Sequence, residues 1–256
     1  MMPSLFISHG APNRVLSNSS AKDFLQSLAK DLPEPKAIIV FSAHWLSHDL
    51  EISNNEELST IHDFIGFGAE LHKVQYEAKQ PKWLFNKICA LLQEKEIAYK
   101  KNSRGLDHGA WSVLSLSYPK GNIPITALSV PRYKNLNEYL LLGEAFKELR
   151  REGILIIGSG GATHNLSRLS HGSTPEPWAV DFVAWLQKCV QDKNYAELTH
   201  LYDAHPSATI AHPSLEHYVP LLIAAGAAMH EQSMLIHDSY EFGSLNNSCF
   251  SFGHHA

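Results

Sequence analysis

Three apolar, strand-like runs constrain this chain most: Ser4-Leu5-Phe6-Ile7, Ile38-Ile39-Val40-Phe41 and Ile154-Leu155-Ile156-Ile157. The second continues over residues 37–43 as an unbroken β-branched run, the pattern of a strand covered on both faces. Helical signals alternate with these runs. One helix starts at Ser19 or Ser20 and carries Phe24, Leu25 and Leu28 to the stop at Pro33; another opens at Pro81 and runs to about Glu96. Residues 123–130 read as a strand and 137–151 as an amphipathic helix capped by Gly153. Further helices are expected over 177–191 and 220–229, with closing strand material over 240–252. The expected class is α/β: one layered α/β/α domain over residues 1–256, around a mostly parallel or mixed sheet. No repeat, linker or low-complexity segment divides it.

Each of the three runs leads to a histidine. His9 follows the first, His44 the second, and His164 follows the third through Gly158, Gly160 and Gly161. Open α/β sheets gather ligands beyond the carboxyl ends of their strands, and neutral imidazole is the commonest metal ligand. A fourth candidate, His217, lies in the helical-looking stretch Glu216-His217-Tyr218-Val219-Pro220. Taken singly, each could be a turn or cap histidine bonded to a carbonyl, and His212 competes with His217. His108, in Asp107-His108-Gly109, fits a substrate-binding group or a loop histidine held by Asp107; His62 is a weaker candidate of the same kind. His48, His72, His171, His200, His205, His230 and His237 lack supporting context and are expected on the surface, and the terminal His254 and His255 are set aside.

Composition narrows the function classes. Hydrophobic residues make up 44% and charged residues 18% of the 256, enough for a substantial core. A formal charge of −5 with no Lys/Arg cluster argues against nucleic acid as a partner. No stretch approaches the ~18–20 apolar residues that span a bilayer, and the opening Met-Met-Pro-Ser lacks a signal-peptide pattern. Cys89, Cys189 and Cys249 form no CxxC pair and read as reduced thiols of a cytoplasmic protein. Gly158-Ser159-Gly160-Gly161 has neither the Lys-Ser/Thr of a P-loop nor the spacing of a dinucleotide fingerprint, and no HExxH helix, EF-hand or GxSxG elbow occurs. The residues alone point to a mononuclear histidine-rich metal site and leave its reaction open.

Six segments taken in order say more: Ser8-His9-Gly10-Ala11-Pro12, Ser42-Ala43-His44-Trp45, Thr60-Ile61-His62-Asp63-Phe64, Asp107-His108-Gly109-Ala110-Trp111, His164-Asn165-Leu166 and Glu216-His217-Tyr218. Together they resemble the signature segments of the class III extradiol ring-cleavage dioxygenases, in the DOPA 4,5-dioxygenase branch of the LigB-like superfamily. The likeness runs from residue 3 to about 245. It implies a single α/β domain that opens a DOPA-like catechol with dioxygen to a muconic semialdehyde. It also implies one divalent metal per chain on His9, His44 and His217. His164 would act as acid/base beside the ion, or as a further ligand, and His108 would contact substrate or dioxygen. Trp45, Trp111 and Tyr218, with His62, would supply the wall against the ring, with core packing the alternative role for at least one of the three large aromatics.

One departure bears on the metal. Many relatives complete the set with a carboxylate, but here the matching position is His217, with Glu216 one residue earlier. Adjacent helical residues point about 100° apart, so only one of the two can face an ion. A three-histidine set suits Zn(II) as readily as Fe(II). A zinc hydrolase and a non-catalytic binding relative therefore stand as alternatives, and a homo-oligomer is left open.

Overall fold

The computed structural model describes residues 1–170 and 174–253. His171, His254 and His255 lie outside the described residues. Eight strands form one sheet: β1 (Ser4–Ser8), β2 (Ala37–Ser47), β3 (Leu50–Ser53), β4 (Tyr99–Asn102), β5 (Ile125–Pro131), β6 (Ile154–Gly160), β7 (Ser233–His237) and β8 (Cys249–Phe252). Their order across the sheet is β4-β3-β5-β2-β6-β1-β8-β7. The four central strands, β5, β2, β6 and β1, run parallel. An antiparallel junction bounds them on each side, β3 against β5 and β8 against β1, so the sheet is mixed.

The sheet is covered on both faces, as the apolar runs require. Leu5, Ile7, Ile38, Val40, Leu155 and Ile157 pack under the helices Ser20–Leu28 and His108–Ser117. Their neighbours in sequence, Phe6, Ile39, Phe41, Ile154 and Ile156, turn the other way. These meet the helices Val219–Gly226, Asn137–Ala145 and Pro177–Gln191.

Several expectations change in detail. The helix expected over 137–151 is two, Asn137–Ala145 and Lys147–Arg151, because Phe146 bonds back to Gly143 in a tighter turn. Gly153, at φ +89°, ends the second one. The strands Leu50–Ser53, Tyr99–Asn102 and Ser233–His237 carry no strong sequence signal and go unanticipated. All three cysteines are free and buried. Among the described residues no helix is long and apolar enough to cross a membrane.

Candidate metal centre

The parallel strands carry their carboxyl ends to one edge, and the site is assembled there. β1 ends at Ser8, and a turn through Gly10 at φ +64° follows His9, whose N–H donates to the Gly160 carbonyl at 3.0 Å. β2 keeps register with β5 as far as Phe41 and recovers it only at Leu46. The intervening bulge frees Ser42 to Trp45 from that ladder and re-aims His44. The third histidine arrives on the other side, in the turn before the helix Val219–Gly226. Its carbonyl accepts from the Gly161 N–H at 3.0 Å. This close approach needs glycine, because a Cβ at Gly160 would collide with the His217 carbonyl and one at Gly158 with that of Pro220.

The hydrogen bonds fix how the rings are protonated. Ser159 Oγ donates to the Gly109 carbonyl at 2.5 Å, so it must accept from His9 Nδ1–H at 2.9 Å. Glu216 Oε1 faces His217 Nδ1 at 3.3 Å, and Asp63 Oδ2 faces His44 Nδ1 at 3.5 Å. Each ring thus points its Nδ1–H outward and an unprotonated Nε2 inward. His44 Nε2 lies 3.1 Å from His9 Nε2 and 3.2 Å from His217 Nε2. Three lone pairs facing one another this closely repel unless a cation lies among them. Metal–nitrogen bonds of about 2.0–2.1 Å at angles of about 90–110° place ligand nitrogens about 3.0–3.4 Å apart, so the donor set fits a divalent ion. Burial, then the neighbouring His108 and His217, lowers the His44 pKa to about 2; burial likewise lowers those of His9 and His217. Neutral rings are the ligand form.

Glu216 stands outside this set. Its carboxylate is held near a pKa of about 2, first by the hydrogen bond from His217 and against burial, and it also accepts from Ser214 Oγ at 2.8 Å.

Two further histidines adjoin the three. The His164 N–H donates to the Ala211 carbonyl at 2.9 Å, and its ring lies parallel to that of His217, with centroids 3.4 Å apart. Burial and the proximity of His217 lower its pKa to about 3. His108 is the first residue of its helix, which Asp107 caps by accepting from Ala110 N–H. Its ring is held not by Asp107 but by Asp63, whose Oδ1 accepts from Nδ1 at 3.0 Å and from the His108 backbone N–H at 2.9 Å. Burial pushes the Asp63 carboxyl up, but the hydrogen bonds from His108 outweigh it and hold it at about 2. Asp63 therefore joins His44 to His108. Neither Asp63, beside His62, nor Ser159, within the Gly-rich turn, carries a sequence signal for these roles.

All five histidines line one cavity of about 380 Å³. The other expected wall residues are placed elsewhere. Trp111 is fully buried and donates its indole N–H to the Ile61 carbonyl at 2.9 Å. Trp45 follows His44 on an extended segment and turns to the opposite side, buried with its indole N–H facing Glu51 at 3.3 Å. Tyr218 is buried in the core and donates its hydroxyl to the Leu198 carbonyl at 2.7 Å. His62 bonds the Val74 carbonyl at 2.9 Å and packs behind Phe64. None of the four belongs to the described cavity wall, which Phe64, Phe67, Leu166, Leu169, Phe242 and Leu245 supply instead. His205 is not the surface residue expected, and His212, the competitor of His217, does not line the cavity. His212 is buried against Phe182 and Tyr218 and bonds the Ala162 carbonyl; His205 is buried and pairs with Asp181.

Comparison with known proteins agrees with this geometry. Residues 2–253 match the family described as the catalytic LigB subunit of aromatic ring-opening dioxygenase. A 4,5-DOPA dioxygenase extradiol from Beta vulgaris is 38% identical, the match covering 96% of this chain and 95% of the relative. The protein of the same name from Escherichia coli K12 is 35% identical, with 96% and 92% covered. The crystal structure of an uncharacterized Escherichia coli K12 protein superposes with a TM-score of 0.83 at 30% identity, over 99% of this chain and 100% of that one. A match across nearly the whole chain, joined to a histidine cluster at the carboxyl edge of the sheet, assigns the protein to the LigB family of extradiol aromatic ring-opening dioxygenases.

Proposed function

We propose that the chain works as one catalytic unit that opens a DOPA-like catechol beside its diol, using a divalent ion on His9, His44 and His217. The observation carrying this reading is the set of three inward Nε2 atoms, with His44 Nε2 3.1 and 3.2 Å from the other two, at one end of a ring-sized cavity. The names of the relatives supply the ring chemistry. Iron(II) is the ion proposed for activity, and zinc(II) fits the same nitrogens without redox chemistry.

Held by His9, His44 and His217, the ion would supply Lewis acidity toward the catechol hydroxyls and, as iron(II), the redox chemistry for dioxygen. The protein's own groups do the rest. His164, neutral in this environment, takes the hydroxyl proton and returns it as the ring opens. Asp63 fixes the His108 ring toward the cavity, where it steadies charge developing on oxygen. The apolar wall excludes water from the reacting ring. Both atoms of dioxygen enter the muconic semialdehyde, so no external reductant is required. Three free, buried thiols are in keeping with work in the cytoplasm.

The test is anaerobic loading with iron(II), followed by oxygen uptake on adding a catechol. Uptake equal to catechol consumed, with semialdehyde absorbance, is expected from the iron form and not from the zinc form. Ester or amide hydrolysis by the zinc form without oxygen uptake would overturn the reading in favour of a hydrolase.

A further inference from the structure

The three proposed ligands are not held equally. His9 is 2% exposed and the His217 side chain 4%, whereas the His44 side chain is 23% exposed. The outer nitrogen of His44 also has the longest tether. Asp63 Oδ2 lies 3.5 Å from it, against 2.9 Å for Ser159 at His9 and 3.3 Å for Glu216 at His217. Yet His44 Nε2 is the atom that approaches both others, at 3.1 and 3.2 Å. The least enclosed ring thus sits at the centre of the set, and its place has to come from its backbone.

The sheet ladders do not supply that anchor. β2 pairs with β6 as far as Ser42 and, after Phe41, rejoins β5 only at Leu46. Within the bulge the His44 N–H donates to Ser42 Oγ at 3.2 Å, and the His44 carbonyl accepts from Arg104 Nη2 at 3.1 Å. Both holders lean on one carboxylate. Ser42 Oγ donates to Asp107 Oδ1 at 2.5 Å, and Arg104 Nη2 lies 3.6 Å from Asp107 Oδ2. Asp107 is itself fixed, 2% exposed and accepting the Ala110 N–H at the start of the helix His108–Ser117. Arg104 is fixed at both ends as well. Ser53 Oγ donates to its carbonyl at 2.6 Å, and its guanidinium lies 5.7 Å from the centre of the Trp45 ring.

We infer that Arg104 is a positioning residue for the metal centre: braced by the Asp107 carboxylate and the Trp45 face, it grips the His44 carbonyl and so sets the spacing of the three Nε2 atoms. The inference rests on the reading of His9, His44 and His217 as the ligands. Arg104 is not among the residues lining the cavity, so it acts through His44. A planar guanidinium suits the place because it stacks on an indole while donating in its own plane, which a lysine ammonium cannot do. Without that donor the bulge is free to relax, and the ion feels the change. Outer partners of metal ligands are typically worth ~10–100-fold in metal affinity.

The test measures Zn(II) and Co(II) affinity by competition with a chromophoric chelator, together with the visible spectrum of the Co(II)-saturated protein. Arg104→Met, which keeps the stem but has no donor, should bind both ions about 10–100-fold more weakly. Its Co(II) bands should shift, because the His44 nitrogen has moved within the coordination shell. Arg104→Lys, with a donor but no flat face for Trp45, should lie between Met and the parent. Both variants are measured at a temperature where circular dichroism shows the apoprotein folded, so a loss of stability alone leaves affinity and spectrum unchanged. Either folded variant matching the parent in affinity and in Co(II) bands would overturn the inference. His44→Ala separates the two levels. If it binds as the parent does, or if the parent binds neither ion at one per chain, the ligand reading falls and this inference with it. If it loses the ion while the Arg104 variants match the parent, this inference falls alone.

Discussion

The floor of the cavity and its mouth are built by opposite means. At the floor, three rings emerge from strand ends and a helix-entering turn, and each outer nitrogen faces a partner: Ser159, Asp63 or Glu216. At the mouth, Leu166, Leu169 and Phe242 stand on loops and remain largely exposed. The floor is therefore fixed in tautomer and direction, as metal binding demands, while the mouth can change residue by residue with little consequence for the fold. The clustered histidines belong to the sheet edge and the exposed apolar side chains to the loops.

The largest effect that could break this contrast is loss of the ion. His217→Ala should reduce metal affinity by more than the ~10–100-fold typical of losing an outer hydrogen bond, and abolish oxygen uptake. Glu216→Gln should keep the metal and fall at most within that ~10–100-fold range. Elemental analysis after dialysis reads both. Metal retained in His217→Ala but lost in Glu216→Gln would mean the carboxylate is the ligand.

A smaller effect is expected one layer out from the ion. His164→Ala should lower kcat by ~10²–10⁴-fold while metal content stays near that of the parent. Loss of metal as well would make His164 a fourth ligand. At the mouth the expected effect is least. Leu166→Ala should change stability by no more than ~0.5 kcal/mol in urea unfolding, because the side chain is 61% exposed, and should alter KM rather than kcat. A large fall in kcat would place the mouth in the catalytic machinery and remove the contrast.

The same division governs what could be read before the structure. His9, His44 and His164 were legible because a buried strand is an apolar run and its carboxyl end is where an α/β sheet collects ligands. Geometry along the chain allows only one of Glu216 and His217 to face an ion, and the resemblance selects His217. The same rotation carries Tyr218 away from the site into the core, and strand alternation turns Trp45 from His44. Asp63 was hidden because its neighbour His62 looked like the chemical residue of the pair. The wall residues Leu166, Leu169 and Phe242 come from loops with no periodicity to read, and only the folded chain brings them together.

Gly158 and Gly160 give the site a dimensional reference made of missing atoms. The turn bearing His217 rests on the strand backbone itself, with no side chain between, so its height above the sheet has only one value. Every other contact at the centre can adjust by rotating a torsion; this one cannot. The smallest possible enlargement, a single methyl group at Gly160, would meet the His217 carbonyl and force the turn that carries the third imidazole to shift. Spacing among the three nitrogens is thus written at a position that carries no functional group.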